Sequence, residues 1–96
     1  MQLHIISQSP ASHSAFNRAL AFIEPQDHVL LINDGCYAAS HPALIRQAMK
    51  NTAANWLILE DDMIMRGIDA PTGIQIISMD EFVQLCFAVH HCLSWY

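Results

Sequence analysis

Short apolar runs alternate along this chain with segments in which apolar residues recur at helical spacing. Four runs rich in β-branched and aromatic residues predict strands at residues 3–6, 29–32, 56–59 and 74–77. A shorter run at residues 93–95 is compatible with a fifth strand. The run at 29–32 has no polar interruption, which is typical of a strand covered on both faces.

Helices are predicted in the intervening segments. Phe16, Leu20 and Ile23 share one helical face, so a first helix should begin near Ser12 or Ser14 and reach Ile23. Asn33-Asp34-Gly35 predicts a turn. The other predicted helices run from Pro42 to about Met49, from a cap at Asp61 or Asp62 towards Gly67, and onward from Asp80-Glu81.

The alternation of strand and helix with short connections predicts an α/β protein. Such a pattern gives a mostly parallel sheet of four or five strands with helices on both faces. The length of 96 residues fits one domain spanning residues 1–96.

The composition indicates that part of the surface is covered by another subunit. Hydrophobic residues make up 53% of the chain and charged residues 14%, against about 25% charged in typical soluble domains. We therefore expect an oligomer, and we expect the isolated chain to self-associate.

Charge and cysteine usage exclude several classes of protein. A net charge of −5 with four scattered basic residues argues against direct nucleic-acid binding. No run approaches the roughly 18 apolar residues of a membrane span. Three cysteines without a C-x-x-C pair indicate free thiols in a reducing compartment, so we expect a cytoplasmic protein.

The last predicted helix is apolar nearly all round, which indicates burial on two sides. Phe82, Leu85, Cys86 and Val89 form one continuous face that should pack on the sheet. Val83 and Phe87 lie on a neighbouring face and are the predicted partner interface. The terminal Trp95 and Tyr96 either dock on a partner as well, or Trp95 folds back on its own sheet.

Four segments together resemble the TusB/DsrH family of sulfur-relay subunits. They are L-H-I-I-S-Q-S-P at residues 3–10, D-H-V-L-L-I-N-D-G-C-Y-A-A at 27–39, L-E-D-D-M-I-M-R-G at 59–67, and F-V-Q-L at 82–85 followed by Trp95. They occur in the family's order and cover nearly the whole chain.

The resemblance implies a flavodoxin-like, doubly wound fold and assembly with TusC-like and TusD-like subunits into a heterohexamer. It implies a role in 2-thiolation of the wobble uridine of tRNA, with the sulfur-carrying cysteine on the TusD-like partner. DsrH-like subunits of sulfur oxidisers have their own cysteine in the first helix, but Ala19 occupies that place here. The resemblance therefore favours a non-catalytic subunit that needs no cofactor.

Two alternatives to this function remain at the level of sequence. Cys36 follows a strand and a turn at the sheet edge where doubly wound folds place their sites, so it is a candidate persulfide carrier in a sulfurtransferase. It is also explained as a small hydrophobic residue in a core position. The other alternative is an independent homo-oligomeric binding module.

The remaining polar candidates have structural explanations. Cys86, His90, His91 and Cys92 lack the second ligand cluster of a structural zinc site, so no metal is expected. Asp34 and the acidic residues 60–62 suggest a magnesium pocket, but no acidic residue follows the first strand and no lysine follows Lys50. Capping by Asp61 or Asp62 explains the acidic triplet more simply. We expect His4 to be a buried strand histidine with a hydrogen-bond partner.

Overall fold

The computed structural model describes residues 1–11 and 14–95, in which five strands and four α-helices alternate. The strands are β1 (Gln2–Ile6), β2 (His28–Leu31), β3 (Asn55–Leu59), β4 (Ile74–Ile77) and β5 (His91–Trp95). The helices are α1 (Ala15–Leu20), α2 (Pro42–Thr52), α3 (Glu60–Met65) and α4 (Met79–Ala88), and a 3₁₀ helix spans Asn33–Ser40.

The five strands form one parallel sheet in the order β4-β3-β2-β1-β5. The chain adds β2, β3 and β4 on one side of β1 and then crosses back through α4 to place β5 on the other side. The predicted α/β, flavodoxin-like class and the mostly parallel sheet are confirmed, and the fifth strand is present.

Helices cover both faces of the sheet, as predicted, but unequally. On the first face, side chains of α1, α2, α3 and the 3₁₀ helix pack with residues of β1 to β4 in one core cluster. On the second face, α4 packs against Leu3, Leu30 and Leu57 through the four residues predicted to face the sheet, which are Phe82, Leu85, Cys86 and Val89. None of the residues of α4 is fully buried.

The first helix is shorter than predicted. It ends at Leu20 and not at Ile23, because the N–H groups of Ala21 and Phe22 donate to carbonyls three residues back and tighten the last turn. Ser14 occupies the N-cap position without a side-chain hydrogen bond. The alternative cap, Ser12, lies outside the described residues.

The N-cap predicted from the sequence is wrong for α3, whereas the residues at the start of α4 do cap that helix. The predicted cap of α3 by Asp61 or Asp62 is wrong, because Leu59 is at the N-cap and Asp62 accepts a hydrogen bond from the Asn33 N–H instead. Gly67 ends that helix at φ +64°, as predicted. At α4, Ser78 and Glu81 form a reciprocal capping box.

Gly35 lies where the 3₁₀ helix passes over the end of β1. A Cβ atom at this position would be 2.0 Å from the Ile6 carbonyl oxygen, a backbone atom that also accepts a hydrogen bond from the Ile32 N–H at 3.1 Å. The close approach therefore requires glycine for space, not for a positive φ.

We expect Gly35→Ala to lower the free energy of unfolding by about 3 kcal/mol or more, because neither backbone segment can give way. Urea titration followed by circular dichroism measures this loss. Gly67→Ala is the matched control: it has open space around it but a φ of +64°, so it should lose only about 1–2 kcal/mol. Equal losses in the two variants would contradict the steric argument.

Candidate functional site

Polar residues from two of the sequence segments meet at the carboxyl ends of β2 and β3. The Asp62 carboxylate accepts a hydrogen bond of 2.8 Å from the Asn33 N–H. The Arg66 guanidinium lies 3.2 Å from the Asp34 carboxylate and 3.9 Å from the Asp62 carboxylate. This arrangement fixes the start of the 3₁₀ helix, where Asn33 has a left-handed φ of 47°.

The Asp34–Arg66–Asp62 group is a surface clamp. The Asp34 side chain is 62% exposed, and exposed ion pairs contribute only about 0–1 kcal/mol. Within residues 1–11 and 14–95, no three His, Cys, Asp or Glu side chains are grouped so that they could hold a metal ion. The clamp therefore joins the 3₁₀ helix to α3 and its C-cap residue.

Cys36 lies beneath this clamp with no solvent-exposed surface. Its thiol donates a hydrogen bond of 3.6 Å to the Leu31 carbonyl oxygen. Burial, together with the negative charges of Asp62 and Asp34, raises the pKa of the Cys36 thiol to about 12. At neutral pH the group is a protonated thiol in the core, which favours the packing role over the persulfide carrier.

Ala19, at the position where DsrH-like subunits have a cysteine, also has no exposed surface. It belongs to the core cluster of the first face, between α1 and the sheet.

A buried polar network connects His4, Asp27 and Trp95. His4 has no exposed surface, and its Nε2 lies 3.0 Å from Asp27 Oδ2. Its Nδ1 accepts a hydrogen bond of 3.1 Å from Trp95 Nε1. An indole N–H can only donate, so His4 is the neutral Nε2–H tautomer, which donates to Asp27. The prediction of a hydrogen-bonded strand histidine is confirmed.

The network decides between the two predictions for Trp95. The indole folds back on its own domain, with ring centroids 6.2 Å from His4 and 5.4 Å from Phe22. Tyr96, the other terminal aromatic residue, lies outside the described residues. Trp95 is partly buried and the Phe22 ring that it stacks on is 62% exposed, and the partner-interface role of Trp95 and Tyr96 stays a prediction.

The Asp27 carboxylate accepts three hydrogen bonds, from His4 and from the N–H groups of Gln2 and Glu24. Burial raises the pKa of Asp27, but the hydrogen bonds from Glu24, Gln2 and His4 outweigh burial, so the pKa is lowered from its ordinary value of 3.8. The folded state therefore binds this proton less tightly than the unfolded chain. The Asp27 carboxylate therefore contributes its full stabilisation at pH values above the ordinary carboxyl pKa. This stabilisation is lost as the pH falls through the lowered pKa of the folded state.

Three apolar side chains of α4 face solvent on the side of the helix next to the face that packs on the sheet. Met79 is 49% exposed, Val83 48% and Phe87 87%. They are spaced by four residues, so they form one continuous stripe, which we call the α4 stripe. The sequence predicted Val83 and Phe87 in this position but missed Met79, which the same four-residue spacing could have identified.

A cleft of about 410 Å³ lies beside α4 on the second face. Its polar lining includes Asn55, Gln75, Gln84 and His28, whose buried Nδ1 has no hydrogen-bond partner among the described residues. This region was not identified from the sequence, because its residues come from three strands and a helix. No helix in the described part of the chain is long and apolar enough to cross a membrane.

A family model and curated relatives both place this chain in the same family. A family model described as "DsrH like protein" matches residues 8–91. Two curated proteins named "Protein TusB", from Yersinia pestis (strain Pestoides F) and Yersinia pseudotuberculosis serotype O:1b (strain IP 31758), are each 30% identical over 95 residues, covering 97% of this chain and 99% of theirs. The chain belongs to the TusB/DsrH family.

Membership of the TusB/DsrH family confirms the resemblance inferred from the four segments, and the structure shows what those segments do. The first and last supply His4 and Trp95 to the buried network, together with Asp27 at the start of the second. The second and third supply Asp34 and Arg66 to the surface clamp. The segments that mark this TusB/DsrH-family chain thus hold distant parts of the fold together.

We expect Asp27→Asn to lower the free energy of unfolding by about 3 kcal/mol at neutral pH, because hydrogen bonds to a buried carboxylate are lost. The loss of stability on acidification below the ordinary carboxyl pKa should also become shallower than in the wild type. Denaturant titration at a series of pH values measures both effects. The exposed Asp61→Asn is the control and should stay within about 0.5 kcal/mol of the wild type.

Trp95→Phe should lower the free energy of unfolding by about 1–3 kcal/mol, because it leaves the buried Nδ1 of His4 without a donor. Nitrogen-15 NMR of the wild-type imidazole should show a proton on Nε2 and none on Nδ1. A doubly protonated ring at neutral pH would contradict the assigned hydrogen bonds.

Proposed function

We propose that this chain is a non-catalytic subunit of a cytoplasmic, TusBCD-type sulfur-relay complex that acts in 2-thiolation of the wobble uridine of tRNA. Its partners are TusC-like and TusD-like subunits in a heterohexamer. The observation that carries the proposal is the combination of full-length membership of the TusB/DsrH family with an apolar surface on α4.

The α4 stripe supports a role in assembly. Phe87 is 87% exposed, and a large aromatic side chain in a continuous apolar row is the kind of residue that anchors protein interfaces. The helix beneath it is well defined, since the Ser78–Glu81 capping box closes its first turn. A rigid helix that presents Met79, Val83 and Phe87 loses little conformational entropy when a partner covers it.

The environment of Cys36 supports the non-catalytic part of the proposal. A sulfur carrier requires a thiol that is accessible and readily ionised, whereas Cys36 is fully buried with a pKa raised to about 12. We assign the reactive sulfur of the complex to the TusD-like partner, as the resemblance to the family implies.

The charge distribution supports contact with tRNA through other components. The sequence has nine acidic residues and only four basic ones. Two of the acidic residues, Glu60 and Asp61, are exposed at the carboxyl edge of the sheet. Such a surface repels the phosphate backbone.

We expect Phe87→Asp to abolish co-purification with the TusC-like and TusD-like subunits. The substitution places a charge in the proposed contact, which costs several kcal/mol where the site is fully desolvated. Because Phe87 faces solvent in the isolated chain, circular dichroism and thermal unfolding of the variant should stay native. Affinity co-purification from cells that express all three chains measures the loss.

Gln84→Glu is the matched control, because it adds a charge to the same helix away from the α4 stripe, and it should leave complex formation unchanged. Undiminished complex formation by Phe87→Asp would remove α4 as the docking surface. A persulfide held stably on Cys36 in the assembled complex would overturn the non-catalytic assignment.

The isolated wild-type chain should self-associate, and Phe87→Asp should reduce that association.

A further inference from the structure

Strand β5 lies at one edge of the sheet and is open to solvent. Among residues 1–11 and 14–95 it pairs with β1 alone, so its outer side has no neighbouring strand in the described part of the chain. The first four residues of β5 are exposed, and only the last, Trp95, is partly buried. An open edge of this kind is a template for pairing with another chain.

The β5 edge lacks the residues that usually protect a sheet from pairing with other molecules. Charged side chains and proline on an edge strand prevent such pairing. From residue 82 to residue 96 the sequence has no Lys, Arg, Asp, Glu or Pro. The edge is therefore uncharged, and Leu93, which is 38% exposed, lies at its centre.

The distribution of charge favours a second copy of this chain as the occupant of the β5 edge. Copies with a net charge of −5 repel one another wherever their acidic residues approach. The opposite edge strand, β4, is flanked by Asp69 before it and by Asp80 and Glu81 after it, all exposed. Antiparallel pairing of two β4 strands would bring these acids together, whereas two β5 strands can meet without like charges. A different protein is usually selected by complementary charge, which β5 does not offer.

We propose that two copies of this chain pair through β5 in antiparallel orientation, about a two-fold axis normal to the sheet. Such an axis makes the contact self-complementary and keeps each face of one sheet continuous with the same face of the other. The register centred on Leu93 pairs all five residues of the strand. It places Leu93 opposite its own counterpart, and Trp95 opposite His91 of the second copy.

Apolar side chains lie beside this contact on the first face of the sheet. Trp95 packs against the core cluster of that face, and Leu93 projects to the same side because residues two apart in a strand share a face. The Phe22 ring stacks on Trp95 with centroids 5.4 Å apart and is itself 62% exposed. Pairing brings the two Leu93 side chains together next to these rings, and burial of apolar surface there favours association.

The first test measures the oligomeric state of the full chain in a Phe87→Asp background, which removes association through the α4 stripe. We expect this parent to remain a dimer in analytical ultracentrifugation and Leu93→Lys in the same background to be monomeric. The substitution places two ammonium groups opposite each other in the ladder, while in the monomer the long side chain can reach solvent. Gln75→Lys adds the same charge at the exposed surface of β4 and, as the matched control, should leave the dimer intact. Circular dichroism of all variants should stay native.

The second test determines the register with engineered cysteines, in a chain whose Cys86 and Cys92 are replaced by serine. Leu93→Cys should form a disulfide between chains under mild oxidation, because directly opposed residues have Cα atoms about 4.5–5.5 Å apart. Ser94→Cys is the matched control, since Ser94 is also exposed. In the centred register it lies diagonally from its counterpart, at roughly 7–8 Å, which is beyond the reach of a disulfide.

Three outcomes would overturn the proposal: a monomeric parent, a dimer that survives Leu93→Lys, or a disulfide through Ser94→Cys in place of Leu93→Cys. Loss of co-purification with the TusC-like and TusD-like subunits in Leu93→Lys would give the β5 edge to a partner subunit and would overturn it as well. The test is separate from that of the proposed function, because Leu93→Lys should still co-purify with those subunits and Phe87→Asp should still pair through β5.

Discussion

The buried hydrogen-bond chain from Asp27 through His4 to Trp95 is the constraint on which this sheet depends. It joins the residue before β2, the middle of β1 and the last residue of β5, which are separated in sequence by 23 and 91 positions. Both ring nitrogens of a fully buried histidine are paired in this way. Since each unpaired buried polar group costs about 1–3 kcal/mol, these three residues are stable in the core only together. The docking of the edge strand β5 and the burial of His4 therefore depend on each other.

The same constraint explains what the sequence could and could not predict. The first four strands and α4 followed from local patterns, since apolar runs and the spacing of Phe82, Leu85 and Val89 depend on nearby residues alone. The full length of β5 and the orientation of Trp95 did not, because they depend on a histidine at the other end of the chain. The cap of α3 was missed for a related reason: the Asp62 carboxylate binds Asn33, 29 residues away, and not its own helix.

The candidate site shows this difference between local and distant signals most clearly. Asp34, Cys36 and Asp62 could be singled out because they follow strands at the carboxyl edge of the sheet. Their roles could not, because burial decides them: Cys36 is enclosed in the core, whereas the Asp34 side chain is exposed and pairs with Arg66. The burial of a thiol cannot be read from the spacing of cysteines along the chain.

The two faces of the sheet differ in how fully the chain covers them itself. Among the described residues, three α-helices and the 3₁₀ helix pack on the first face, and α4 alone on the second. None of the residues of α4 is fully buried, and its outer side exposes Met79, Val83 and Phe87. Burial of apolar surface stabilises an association by about 25 cal/mol per Å² before the costs of ordering. A partner that covers the exposed side of α4 would therefore bury much apolar surface. One side of this helix packs on the sheet of its own domain, and another side favours contact with a second chain.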